Sequence, residues 1–136
     1  MSTRIRRFSP AVTLLTCAVV LLALLAAVLF FAGQSIALSR DVLHKETSGA
    51  SGVTYESGGA RRSSDLYLMR ISELTGTRYE LRLGPGAEDY YYPVELHFGS
   101  AEPHIRDVRW QPDGVTVAFT SGESVRVPAE NFRSMR

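Results

Sequence analysis

One cysteine, one lysine and three histidines are all that this 136-residue chain holds of the side chains that most often serve as thiol nucleophiles, Schiff-base amines or metal ligands. The cysteine, Cys17, lies inside an apolar run, so the chain has no disulfide of its own to staple a small domain. No G-x-S-x-G, glycine-rich phosphate loop or cofactor-binding pattern occurs. Charge of one sign is lacking too. The 15 basic residues meet 14 acidic ones, and residues 40–136 alone carry 12 basic against 14 acidic side chains, a net -2. That leaves no footprint for nucleic acid. The chain is also too short for a multidomain enzyme, a (β/α)₈ barrel or a closed propeller.

What is present begins with Ala11 to Ala32, 22 residues without a charge, of which only Thr13 and Thr16 are polar. A helix of that length spans roughly 33 Å, enough for a hydrocarbon core of about 30 Å. Arg4, Arg6 and Arg7 precede the run, and the positive-inside rule puts them in the cytoplasm and residues beyond the run outside. The expectation is a single-pass protein of the plasma membrane, its lipid partner the bilayer itself. The length of the run favours an uncleaved anchor, while Ser35-Ile36-Ala37 keeps cleavage after Ala37 open as the alternative. Thr16, Val20, Ala23 and Ala27 share one helical face with small residues, a pattern that suits a weak homodimer through this helix.

Ile36, Leu38, Val42 and Leu43, mixed with charged residues, are expected to prolong the helix to about residue 45. Residues 47–64 hold nine Gly or Ser in eighteen positions and read as a flexible stalk, with a short edge strand around Val53 and Tyr55 as the other reading. Arg61-Arg62 reads as a solvated pair. From Asp65 the period is two. Leu66 to Ile71, Tyr79 to Leu83, Tyr90 to Phe98, Ile105 to Trp110, Val115 to Phe119 and Ser124 to Pro128 make six antiparallel strands, a meander or sandwich-like all-β domain over 65–136. Pro93 makes the third of them an edge or a bulged strand. Ala129 to Arg136 is long enough for one closing helical turn.

Asp65-Leu66-Tyr67-Leu68-Met69, Asp89-Tyr90-Tyr91-Tyr92-Pro93-Val94 and Trp110-Gln111-Pro112-Asp113-Gly114 with Val117-Ala118-Phe119 resemble pieces of the repeat in TolB-type β-propellers. The resemblance implies a hairpin turning at Pro112-Asp113-Gly114. It covers about 25 residues, and a single copy cannot close a ring of blades.

Two constellations stand out as candidate sites. Glu95 and His97 lie on one strand face with His104 following after a loop, a spacing that suits a metal-binding protein or small metal-dependent hydrolase. Tyr90, Tyr91 and Tyr92 are consecutive, so at least one ring faces outward, and with Trp110 they are candidates for protein contact. Glu88 and Asp89 are too few oxygens for calcium. Fourteen arginines beside the single Lys45 read as high-GC coding in a bacterium, since Arg70, Arg78, Arg82, Arg106, Arg109, Arg126 and Arg133 scatter along the sequence. The leading expectation is a non-enzymatic binding or accessory module for another envelope protein, with no cofactor.

Overall fold

In the computed structural model, which describes residues 10–33, 37–85, 89–99 and 101–134, the chain divides into two units, Met1–Ile36 and Ala37–Arg136. The first holds α1 (Pro10–Gly33). Pro10 opens it at a position where a missing N–H costs nothing. The Thr16 hydroxyl donates to the Val12 carbonyl at 2.8 Å, so its proton is paired within the helix. Leu14, Leu21 and Phe31 are all exposed, and the helix is apolar and long enough to cross a bilayer. Thr16, Val20, Ala23 and Ala27 follow one another at spacings of three and four along it, hence on one face. Arg4, Arg6 and Arg7 lie outside the described residues.

The second unit is strand-rich and antiparallel throughout. β1 (Ala37–Thr47) leads through a 3₁₀ turn (Ser48–Ser51) to β2 (Tyr55–Ser57) and β3 (Ala60–Arg62). β4 (Asp65–Glu73), β5 (Gly76–Gly84) and β6 (Tyr92–Leu96) follow, then β7 (Ile105–Gln111), β8 (Gly114–Phe119), β9 (Ser124–Pro128) and the single turn α2 (Ala129–Phe132). Three sheets result, ordered β1-β4-β5-β6, β2-β3 and β7-β8-β9. The six strands expected from alternation are β4 to β9. The Trp110–Phe119 segment forms the expected hairpin, Gln111 opposite Gly114. Gly114 is required there, because a Cβ would run into the Val127 carbonyl of β9.

Residues 37–64 differ from expectation. Instead of prolonging the helix to about residue 45, residues 37–47 form a strand that pairs with β4 along its whole length, Ala37 opposite Glu73 and Thr47 opposite Asp65. The helical spacing of Ile36, Leu38, Val42 and Leu43 is outweighed by the ladder that β4 offers a neighbour. Residues 47–64 do not read as a free stalk either. Thr47 caps the 3₁₀ turn, accepting from the Gly49 amide. Ser48 is fully buried: its amide donates to the Ser64 carbonyl at 2.8 Å and its hydroxyl accepts from the Ser64 amide at 2.9 Å. The two ends of the presumed stalk are therefore bound to each other.

Why the core forms follows from the alternation. Leu66 and Leu68 of β4, Leu81 and Leu83 of β5 and Leu96 of β6 point to the same cluster as Val115, Val117 and Phe119 of β8 and Val127 of β9. The two larger sheets thus close on one core, and Tyr55 of β2 joins it. Burying each such side chain stabilises by roughly 1.5–3 kcal/mol.

A fragment spanning 37–136 is expected to melt in one cooperative transition followed by circular dichroism. One spanning 65–136, without the β1 ladder and Tyr55, is expected to show none. A cooperative melt of the shorter fragment would contradict this assignment of residues 37–64.

Candidate functional site

The β2-β3 hairpin sets the site through its register. Tyr55 is opposite Arg62 and Glu56 opposite Arg61, and side chains alternate between faces. Tyr55 and Arg62 therefore share one face while Arg61 and Glu56 share the other. The dibasic pair read as one solvated spot is split between two surfaces. Gly58 and Gly59 at the tip, with φ 60° and 79°, adopt the left-handed conformation that a two-residue hairpin turn needs.

Tyr55 turns inward and is 4% exposed. Its hydroxyl donates to the Gln111 carbonyl at 2.9 Å, with the Gly114 carbonyl at 3.4 Å. Its ring meets Phe132 of α2 edge-on at 5.0 Å and lies 6.3 Å from Trp110, which is itself 6.4 Å from Phe132. Burial, helped by the negative charge of Asp113, pushes the Tyr55 hydroxyl up to about 12.

Beside this aromatic group opens a cleft of about 550 Å³. Tyr55, Tyr90, Pro85 and Phe132 supply its apolar walls. Arg62 from β3 and Arg133 just after α2 supply its charge, and Ser57, Ser63 and Ser64 its hydroxyls. No carboxylate lines it among the described residues, although the domain as a whole is acidic. Neither Arg62 nor Arg133 has an ion-pair partner among the described residues, whereas Arg70, Arg109 and Arg126 each hold a carboxylate. The Ser64 hydroxyl is buried without a hydrogen-bond partner among them. The cleft can thus hold an anionic group carried on an apolar body.

The three consecutive tyrosines take three roles. Tyr90 is 54% exposed and lines the cleft. The Tyr91 ring lies on the Arg82 guanidinium at 4.1 Å. Tyr92 packs against the core. Trp110, expected at a contact surface, is instead 7% exposed beneath Tyr55 and Phe132. The rings of Tyr55 and Phe132 draw it into the core.

Glu95 and His97 do meet, carboxylate to imidazole at 3.7 Å, both well exposed. His104 does not complete them. It precedes β7 on another sheet, where its carbonyl accepts from the Thr120 amide. Among the described residues no three His, Cys, Asp or Glu side chains come together as a metal-holding group. Glu95 instead lies 3.5 Å from Arg78. Asp89 is exposed, and Glu88 lies outside the described residues.

The scatter of arginines along the sequence gives way to pairing in space. Arg78 reaches Glu73 at 2.7 Å and Glu80 at 2.8 Å, and Arg82 reaches Glu80 at 2.6 Å. Glu80 and Arg82, which alternate with Leu81 and Leu83 on β5, are themselves only 4% and 2% exposed. On their face β4 sets Tyr67 beside Arg82 and Met69 beside Glu80, and the Tyr91 ring lies on Arg82. Removing one partner of such a buried pair costs roughly 3–5 kcal/mol. The Arg78-x-Glu80-x-Arg82 spacing carried this signal in the sequence.

Compared with protein-family models, curated proteins and solved structures, the chain matches none.

The position of Tyr55 gives a measurable titration. An unfolded tyrosine ionises near 10, and the folded hydroxyl at about 12. The folded state thus holds the proton more tightly. Its contribution to stability is full below pH about 10 and is lost as pH rises toward 12. Near-ultraviolet titration of the phenols in wild type and Tyr55→Phe is expected to lose the last-ionising tyrosine in the variant. An unchanged high-pH limb would contradict it.

Proposed function

We propose that the chain is a single-pass membrane protein of the bacterial envelope. In this reading α1 crosses the plasma membrane with Arg4, Arg6 and Arg7 in the cytoplasm, and residues 37–136 stand outside as a non-enzymatic binding module for another envelope protein. Support for the anchor comes from the length and apolarity of α1 and from the basic residues before it. The face of Thr16, Val20, Ala23 and Ala27 suits a weak homodimer of the anchor.

The observation that carries the binding role is the open edge at β6. It pairs with β5 alone, Tyr79 opposite Leu96 and Leu83 opposite Tyr92, and its other side has no strand among the described residues. The opposite edge, β1, is guarded by Arg40, Asp41, Lys45 and Glu46 and by two register shifts. β6 carries a single charge, Glu95, and stands next to the exposed Tyr90. An extended segment of a partner can add there as a further strand, its backbone giving affinity and its side chains specificity. Five residues and Pro93 limit indiscriminate pairing, so a stable complex needs contacts beyond the ladder.

Photo-crosslinkers placed at Tyr90 and His97 in intact cells are expected to trap the same envelope protein, while one at Arg106 on β7 traps none. Capture from Arg106 alone, or from no position, would remove this reading.

A further inference from the structure

The cleft beside Tyr55 has a chemistry that the edge strand does not explain. Its two cations come from separate parts of the chain, β3 and the residue after α2, and are carried to one cavity by the fold. Elsewhere in the unit Arg70, Arg78, Arg82, Arg109 and Arg126 are each satisfied by an Asp or Glu, while Arg40, Arg61 and Arg106, without an ion pair among the described residues, stand exposed and do not line this cleft. At the cleft Arg62 and Arg133 have no carboxylate among the described residues, and Tyr55, Tyr90 and Phe132 line it with them. The guanidinium fork matches a carboxylate in geometry and charge. A volume of about 550 Å³ is within the range of small-ligand clefts, and this one is open on one side to an arriving chain.

The direction of the sheet says how such a group arrives. Every pairing described in the unit is antiparallel. A strand added antiparallel to β6 runs from the Leu96 end toward the Tyr92 end, so its carboxyl-terminal side leads toward Tyr90, two residues before Tyr92 and itself a wall of the cleft. We propose that the cleft captures the carboxyl terminus of the partner polypeptide. Arg62 and Arg133 bind the terminal carboxylate, and Tyr55, Tyr90 and Phe132 hold an apolar or aromatic last side chain. This deepens the binding-module reading and rests on it.

The test uses the full chain in nanodiscs of uncharged lipid and three probes: N-acetylated alanyl-alanyl-phenylalanine with a free carboxylate, the same peptide as its carboxamide, and inorganic phosphate. Affinity is read by calorimetry. The site is read from Trp110, the one tryptophan, which packs on Tyr55 and Phe132. The free peptide is expected to bind and shift Trp110 emission. The carboxamide, and the free peptide on Arg62→Glu or Arg133→Glu, are expected to bind at least about tenfold more weakly. Both arginines are exposed, so the variants keep the fold, checked by the unchanged near-ultraviolet spectrum of the aromatic group. Equal binding of acid and amide, indifference to both charge reversals, or phosphate binding as tightly as the peptide overturns the proposal. Cellular crosslinking from β6 together with that result would leave the binding module standing and remove only the carboxylate site; peptide binding without crosslinking would do the reverse.

Discussion

The β-rich unit turns on the burial of Tyr55. A glycine- and serine-rich segment has little apolar surface with which to offset the entropy of being ordered. Tyr55 supplies a large share of it. Its ring enters the aromatic group of Trp110 and Phe132, and its hydroxyl satisfies the Gln111 carbonyl at the β7-β8 turn. With Tyr55 fixed, the register of β2 and β3 fixes Arg62 on the same face, and the Ser48–Ser64 clamp closes the segment on itself. The cleft is a by-product of this arrangement: one wall is the segment that Tyr55 pins, the other is α2 and the residues flanking the β5-β6 connection.

What was legible in the sequence is what periodicity controls. Strands β4 to β9 follow the alternation of Leu66, Leu68, Leu81, Leu83, Val115 and Val117, because their core face is decided locally. The helix follows from 22 uncharged residues. Within residues 37–64 only the short strand at Tyr55, the other reading of that stretch, is legible as β2, because long-range partners decide the state of the rest. Nothing within Ala37 to Thr47 announces β4 as its neighbour, and Gly-Ser composition hides two buried serines whose partners are each other. The site was half legible. Tyr90 stood out as part of a tyrosine run, while Arg62 and Arg133 became partners only through the fold.

The same contrast applies to charge. Spread evenly in sequence, the arginines looked like an effect of codon usage. In space five of the ten described arginines hold carboxylates, with Arg78, Glu80 and Arg82 forming a chain on one face of β5 and the Tyr91 ring lying on Arg82. Two-residue spacing on a strand brings such groups together as surely as four-residue spacing does on a helix. Arg62 and Arg133 differ from the other arginines without an ion pair among the described residues in that the fold brings both to one cleft.

The assignment of residues 48–64 to the folded domain is the claim on which the cleft, and with it the binding chemistry, depends. Amide hydrogen exchange of the full-length protein reads it residue by residue. The account predicts that the amides of Ser48, Val53 and Ser64, which donate to Ser64, Ser48 and the Ser48 hydroxyl, exchange as slowly as those of β4 and β5. Exchange of those three at the rate of an unstructured glycine-serine linker would contradict it.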